Sequence, residues 1–223
     1  MIQAYSCQLF NLVQNSGMTQ EAKDHSGVLR LSAVLADALR RRDAYTRLHS
    51  DRVMALANGI GVELNLSDSE LHVLELGSSL HDIGKIVVPD VVLMKPGRLD
   101  NDEMRVMQLH PSVGGDLIAA YEHPRSELVS KVIRHHHEWF DGSGYPDRLA
   151  GEDIPLLARI VTMVDNYDAM AVRRVYQGAR PHAEIMQIMD SESGTKLDPD
   201  IFACFKRVIE QANYAQFKAT GDA

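Results

Sequence analysis

Cysteine, basic charge, long apolar runs and β-strand patterning are all scarce in this chain of 223 residues. Its two cysteines, Cys7 and Cys204, stand near opposite ends with no close-spaced motif. That argues against a disulfide framework or a thiolate zinc site, and a reducing compartment is the simpler setting. The formal charge of −8 argues against an electrostatic grip on long nucleic acid, which needs a basic patch. A small nucleotide is a different matter, because bound metal ions would dominate the local field. No stretch approaches 18 consecutive apolar residues, so no membrane span is expected. The opening MIQAYSCQLFNLVQ lacks the basic and apolar regions of an export signal. The protein reads as cytoplasmic. Strand signals are limited to Ile86-Val87-Val88, ended by Pro89.

What is present is helical patterning over a composition with 45% hydrophobic and 24% charged residues, ample for one good-sized core. Leu29, Val34, Leu35 and Leu39 mark an early amphipathic helix. A second carries His49, Val53, Leu56 and Ala57 and is expected to stop at Gly61. Ser67 with Glu70 forms a capping box for a helix that delivers His81 and Asp82 near its end. Asp100 with Glu103 repeats the device ahead of His110-Pro111. Pro124 opens a helix running through Leu128, Val132 and Ile133 into three consecutive histidines. Pro155 heads LLARIVTMVDNYDAM, a buried helix bearing Asp165 and Asp168, and Pro181 begins another that stops near Gly194. Asp198-Pro199 supplies an N-cap and a first-turn proline for the last. The expected fold is all-α, with one domain over 25–215. Residues 1–24 form an extension, either an extra helix or an arm.

Two short stretches carry the chemistry. In His81-Asp82-Ile83-Gly84-Lys85, the spacing at a helix end lets His81, Asp82 and Lys85 share a face. The second stretch, HHHEWFDGSGYP from His135 to Pro146, joins a histidine run to a glycine-rich loop. Imidazole beside carboxylate suits iron, manganese or zinc. A lysine next to such ions can meet a phosphate oxygen or a leaving group. Consecutive histidines on a helix diverge by about 100°, so spacing alone leaves open which two of 135–137 would bind. Asp165 sits in a very apolar helix where an unpaired carboxylate is costly. A metal explains it, and so does a salt bridge to Arg159 or Arg173. Asp168, one turn on, reads as a structural partner. His110 could be a plain helix cap, and His25, His72, His123 and His182 read as surface residues.

The order His49, His81-Asp82, His110, His136-His137, Asp165, together with the stretches YTRLHSDRV, LHDIGKIVVPDVVLMKPGRL, HHEWFDGSGYP and GTKLDPDI, resembles the HD-GYP family of metal-dependent phosphohydrolases. The likeness spans roughly 25–210. It implies an all-α helical bundle that hydrolyses cyclic di-GMP to pGpG, and often on to GMP, by attack of metal-bound hydroxide. It implies that His49, His81, Asp82 and Asp165 hold one divalent ion, and that Asp82 bridges to a second held by His110, His136 and His137. Iron or manganese come first, with zinc, cobalt and nickel as alternatives. The family register leaves His135 out. By the same resemblance Lys85 and Asp82 take catalytic roles. Lys85, Gly144, Tyr145, Pro146 and Arg174 contact substrate, and diguanylate cyclases are candidate protein partners. Two divalent ions against two carboxylates leave a site of about +2, which matches two phosphodiester charges.

Several positions depart from the family pattern. Tyr45 stands where some members carry a glutamate that supports a third ion, which implies two ions here. Ala171, Val172 and Val175 replace the usual threonine, serine and proline, and Gln177 replaces a basic residue of some members. A second reading therefore takes the chain as a non-catalytic cyclic di-GMP sensor or interaction module, with no attached receiver or sensory domain. A third, oxygen activation by two irons, is opposed by the GYP loop and Arg174.

Overall fold

The computed structural model of the chain describes residues 44–121, 124–171 and 181–211, the side chains of 44–48 and 211 excepted. The extension 1–24, the early helix of Leu29–Leu39, His25, His123, the side chain of Tyr45, and Val172, Arg173, Arg174, Val175 and Gln177 lie outside the described residues. Within them the chain is helical: α1 Ala44–Glu63, α2 Asp68–Leu80, α3 Asp90–Leu93, α4 Asn101–Met107, α5 His110–Ala119, α6 Ser126–His135, α7 Leu156–Ala171, α8 His182–Glu192 and α9 Pro199–Gln211. The all-α expectation holds. Among the described residues no helix is long and apolar enough to cross a membrane.

The helix starts follow local chemistry. Ser67 accepts from the Glu70 N–H while the Glu70 carboxylate accepts from the Ser67 N–H, so both halves of the capping box form ahead of α2. Asp100 and Glu103 do the same for α4. Asp198 accepts from the N–H groups of Asp200 and Ile201 ahead of α9.

Two local expectations need correction. α1 does not stop at Gly61 but runs to Glu63, and Asn65 (φ 56°) ends it, with Leu66 N–H donating to the Gly61 carbonyl. Gly61 serves packing instead: a Cβ there would lie 2.7 Å from Leu71 and 3.0 Å from Leu74. The Ile86-Val87-Val88 run, the nearest thing to a strand in the sequence, contributes to a 3-10 turn over Ile83–Val87. β-branched residues need a neighbouring strand to form a ladder, and among the described residues no strand forms.

The core forms around α7. Its Ile160, Val161, Met163, Val164 and Tyr167 are buried against Val53, Leu56 and Ile60 of α1, Leu74 of α2, Ile133 of α6 and Phe205 of α9. Because α7 is enclosed on several sides, its polar groups need internal partners. Thr162 donates to the carbonyls of His136 and Ala158, tying α7 to the end of α6. Two carboxylates of α7, Asp165 and Asp168, both meet His49 of α1.

Candidate metal centre

Helix ends and turns supply the donors. His49 comes from the middle of α1, His81 and Asp82 from the end of α2, His110 from the first turn of α5, His136 and His137 from the end of α6, and Asp165 from α7. Gly84 lets these parts close up. A Cβ on it would lie 1.9 Å from the His110 carbonyl oxygen and 2.6 Å from the Gly114 nitrogen, so only glycine permits the turn after Asp82 to rest on α5. That contact sets Asp82 beside His110.

Four imidazoles are oriented by fixed acceptors. Nδ1–H donates to the Ser78 carbonyl from His81 (2.7 Å), to Met107 from His110 (2.8 Å) and to Ile133 from His136 (2.6 Å). His49 Nδ1 donates to Asp168 Oδ2 at 2.7 Å. Carbonyls and carboxylates only accept, so in each ring Nδ1 carries the hydrogen and the lone pair of the neutral ring sits on Nε2. The Nε2 atoms face inward, 3.2 Å apart for His49 and His81 and 3.4 Å apart for His110 and His136. In the neutral His110 and His136 rings the opposed lone pairs repel unless a cation lies between them. Metal–ligand bonds of about 2.0–2.2 Å place neighbouring donors near these separations.

Asp82 spans two groups of donors. Its Oδ1 lies 3.4 Å from His110 Nε2, and its Oδ2 lies 3.5 Å from His81 Nε2. His49, His81 and Asp82 form one cluster that could hold an ion, and His110, His136 and His137 form the other. Asp165 Oδ1 joins the first cluster, 3.2 Å from His49 Nε2 and 4.0 Å from His81 Nε2. A hard/borderline donor set of this kind, nearly all of it buried, fits two divalent cations.

The protonation pattern agrees with the geometry. Burial pushes His110 down to about 3, against the pull of Asp82, and pushes His137 down to about 4 against Asp165 and Asp82. His136 is depressed by burial and by His137. These rings are therefore neutral and able to donate lone pairs at physiological pH. For His49, burial opposes the charge, but hydrogen bonds to Asp165 and Asp168 outweigh it and raise the ring to about 9. Burial disfavours charge on Asp82 and Asp165 as well. Lys85 and the histidines nonetheless hold Asp82 well below the usual carboxylate range, and His49 does so for Asp165.

A cleft of about 710 Å3 opens onto this cluster, its lining including His49, Asp82, Lys85, His110, His137, Tyr145 and Asp165. Lys85 Nζ sits 2.7 Å from Asp82 Oδ2, as the shared face implied. Of the three loop residues singled out in the sequence, Tyr145 lines the cleft, with its ring 5.0 Å from that of His137. Gly144 and Pro146 are not among the lining residues. Gly144 is buried, and a Cβ on it would lie 2.3 Å from the Trp139 nitrogen and 2.5 Å from the His137 carbonyl. Its part is to let the loop fold back, so that Tyr145 N–H reaches the His137 carbonyl at 3.1 Å. The loop base is pinned from behind: Phe140 and Asp141 N–H groups donate to the carbonyls of Lys196 and Thr195 in the GTKLD turn.

Of the two alternative ion pairs for Asp165, the one to Arg159 is settled by position, while Arg173 lies outside the described residues. Arg159 pairs with Asp198 at 2.5 Å, so it does not serve Asp165. Asp168 is a structural partner, accepting from His49 and also from Arg52 Nε (2.6 Å) and Nη2 (2.8 Å). Arg52 escaped the sequence reading, although its spacing of three from His49 on one helix was a usable signal. His135 turns away to Glu138 (3.7 Å) and Asp147 (3.6 Å), where Arg134 already holds Asp147 through two nitrogens.

Fold and site together define a helical scaffold whose histidine and aspartate clusters could hold metal ions. A profile of the HD domain matches residues 31–201, and the chain belongs to that family, in the HD-GYP branch indicated by its motifs. It is 39% identical over 165 residues to the cyclic di-GMP phosphodiesterase response regulator RpfG of Xanthomonas campestris, covering 74% of this chain and 44% of that protein. It is 33% identical over 167 residues to the 3′3′-cGAMP-specific phosphodiesterase 2 of Vibrio cholerae, covering 75% of this chain and 32% of that one. The chain thus spans less than half the length of these curated relatives. Among solved structures, the HDG"Y"P protein Bd1817 of Bdellovibrio bacteriovorus superposes with a TM-score of 0.58 at 21% identity, over 73% of this chain and 51% of that one, a likeness of fold.

Proposed function

We propose that the chain is a metal-dependent phosphodiesterase that hydrolyses cyclic di-GMP to pGpG. The observation that carries this reading is Asp82, which lines the cleft and whose two oxygens face separate histidine clusters. His49, His81, Asp82 and Asp165 would hold one ion, and His110, His136 and His137 with Asp82 the other, with iron or manganese the first choices. Ions held there would supply charge neutralisation and an activated water at neutral pH.

The chain's own residues account for the rest. The buried cluster fixes one phosphodiester at the end of the cleft, and the oriented imidazoles spend no reorganisation energy when it arrives. Lys85 lines the cleft with an ammonium that can hydrogen-bond a phosphate oxygen or the departing ribose oxygen. Burial, with Asp165 and Asp82 adding to it, raises the Tyr145 phenol above its ordinary value, so it stays protonated and donates to the ligand. By the family pattern, Arg174 would grip a phosphate. Hydrolysis joins a water oxygen to phosphorus, breaks one P–O3′ bond and leaves a proton on the released hydroxyl. The intact donor set together with Lys85 supports turnover over ligand sensing. Reaction in the cytoplasm, with diguanylate cyclases as protein partners, belongs to the same proposal.

The test is product analysis with protein purified without air and loaded with iron or manganese. We expect cyclic di-GMP to be converted to pGpG. Absence of turnover with either metal would sink the proposal.

A further inference from the structure

The lining of the cleft is not confined to the candidate metal ligands, and part of it is built from different chemistry. Gly97, Arg98 and Leu99, in the loop after α3, line it together with Met104 and Met107 of α4. Glu103 pins this loop from two sides: its carboxylate receives the Lys95 ammonium and the Asp100 N–H (2.8 Å). Leu99, Met104 and Met107 offer an apolar ledge, and thioethers pack well on aromatic faces. Two cations line the described cleft. Lys85 is engaged with Asp82, whereas Arg98 is exposed and makes no ion pair among the described residues.

We propose that this ledge is the binding site for the second guanine of the ligand, with the Arg98 guanidinium donating to its O6 and N7. The inference rests on the phosphodiesterase reading above. A cyclic dinucleotide with one phosphodiester at the histidine cluster must place its other nucleotide further along the same cleft, whose volume of about 710 Å3 suits a ligand of that size. A purine there presents a flat apolar face to the methionines and a polar edge to Arg98. Guanine carries two acceptors on that edge, matching the fork of donors on arginine, whereas adenine replaces one with an amine donor. Arg98 is thus a specificity-determining residue for guanine over adenine.

The experiment compares wild type, Arg98→Ala and Arg98→Lys, all metal-loaded, on cyclic di-GMP, cyclic di-AMP and bis(p-nitrophenyl) phosphate. The last needs only the metal end of the cleft. Arg98→Ala should raise KM for cyclic di-GMP about tenfold to a hundredfold, the worth of a bidentate base contact, with kcat changed much less. Turnover of bis(p-nitrophenyl) phosphate and KM for cyclic di-AMP should stay near wild type. Arg98→Lys should fail to restore selectivity, because a lysine keeps the charge and loses the fork. An unchanged KM for cyclic di-GMP in Arg98→Ala overturns the inference. So does equal weakening of both cyclic dinucleotides with full rescue by lysine, which would mark a phosphate contact. Wild type that cleaves none of the substrates would defeat the functional reading itself, a separate result.

Discussion

Asp168 Oδ2 and His49 Nδ1 meet at 2.7 Å across 119 residues of sequence, and the same carboxylate is held by two nitrogens of Arg52. A carboxylate that would otherwise be costly inside α7 is thereby satisfied, and the His49 ring is locked with Nε2 facing the metal cluster. Asp168→Asn should lower metal affinity about 10- to 100-fold, and Asp168→Ala should also cost about 3 kcal/mol, since Arg52 and His49 lose their partner. Metal titration and chemical denaturation of the two variants check this; unchanged affinity in both would refute the orienting role.

Asp82 is expected to be the least replaceable residue. Asp82→Asn removes the charge shared between the two clusters and leaves Lys85 without its 2.7 Å partner. We expect turnover to fall by at least about 100-fold, with metal content dropping below two ions per chain. Elemental analysis beside the assay separates lost metal from lost chemistry.

Metal uptake should release protons. In metal-stripped protein His49 is raised to about 9, so at pH 7.5 it carries a proton that a ligand role requires it to give up. Apparent metal affinity should therefore fall as pH drops below about 9. Calorimetry in buffers of different ionisation enthalpy should count about one proton from this ring. The sign for folding is the reverse. A ring whose value is raised from 6.5 stabilises the stripped protein fully below 6.5, and that contribution is lost as pH rises through about 9. A denaturation series from pH 6 to 10 on stripped protein reads it.

Gly144→Ala should disable the loop while every metal-ligating side chain is kept. The added Cβ meets backbone 2.3 Å away at Trp139, which a side-chain rotation cannot relieve. We expect a loss of about 2 kcal/mol or more and displacement of Tyr145 from the cleft, read as a higher KM for cyclic di-GMP with metal content retained. Wild-type KM in a folded Gly144→Ala protein would contradict that account.

Local chemistry was legible wherever it acts within a few residues. The Ser67/Glu70 and Asp100/Glu103 caps, the Asp198-Pro199 start and the apolar α7 all follow from side chains interacting with their own backbone, and all formed. Gly61 misled for the same reason in reverse. Its local signal was a helix stop, while its use is to admit Leu71 and Leu74 from another helix. The Ile86-Val87-Val88 run had strand propensity, but among the described residues no strand forms, and the turn onto α5 prevailed.

By itself the amino-acid order determined the all-helical class, the capped starts of the helices and the set of imidazoles and carboxylates available to bind ions. It could not decide which way His135 turns, that Asp168 rather than Asp165 takes Arg52, or that Arg98 borders the same cleft as His137. Those outcomes depend on contacts between segments far apart in the chain. Burial of α7 among α1, α2, α6 and α9 fixes the distances, and close backbone approaches at Gly84 and Gly144 leave each ring one direction to face.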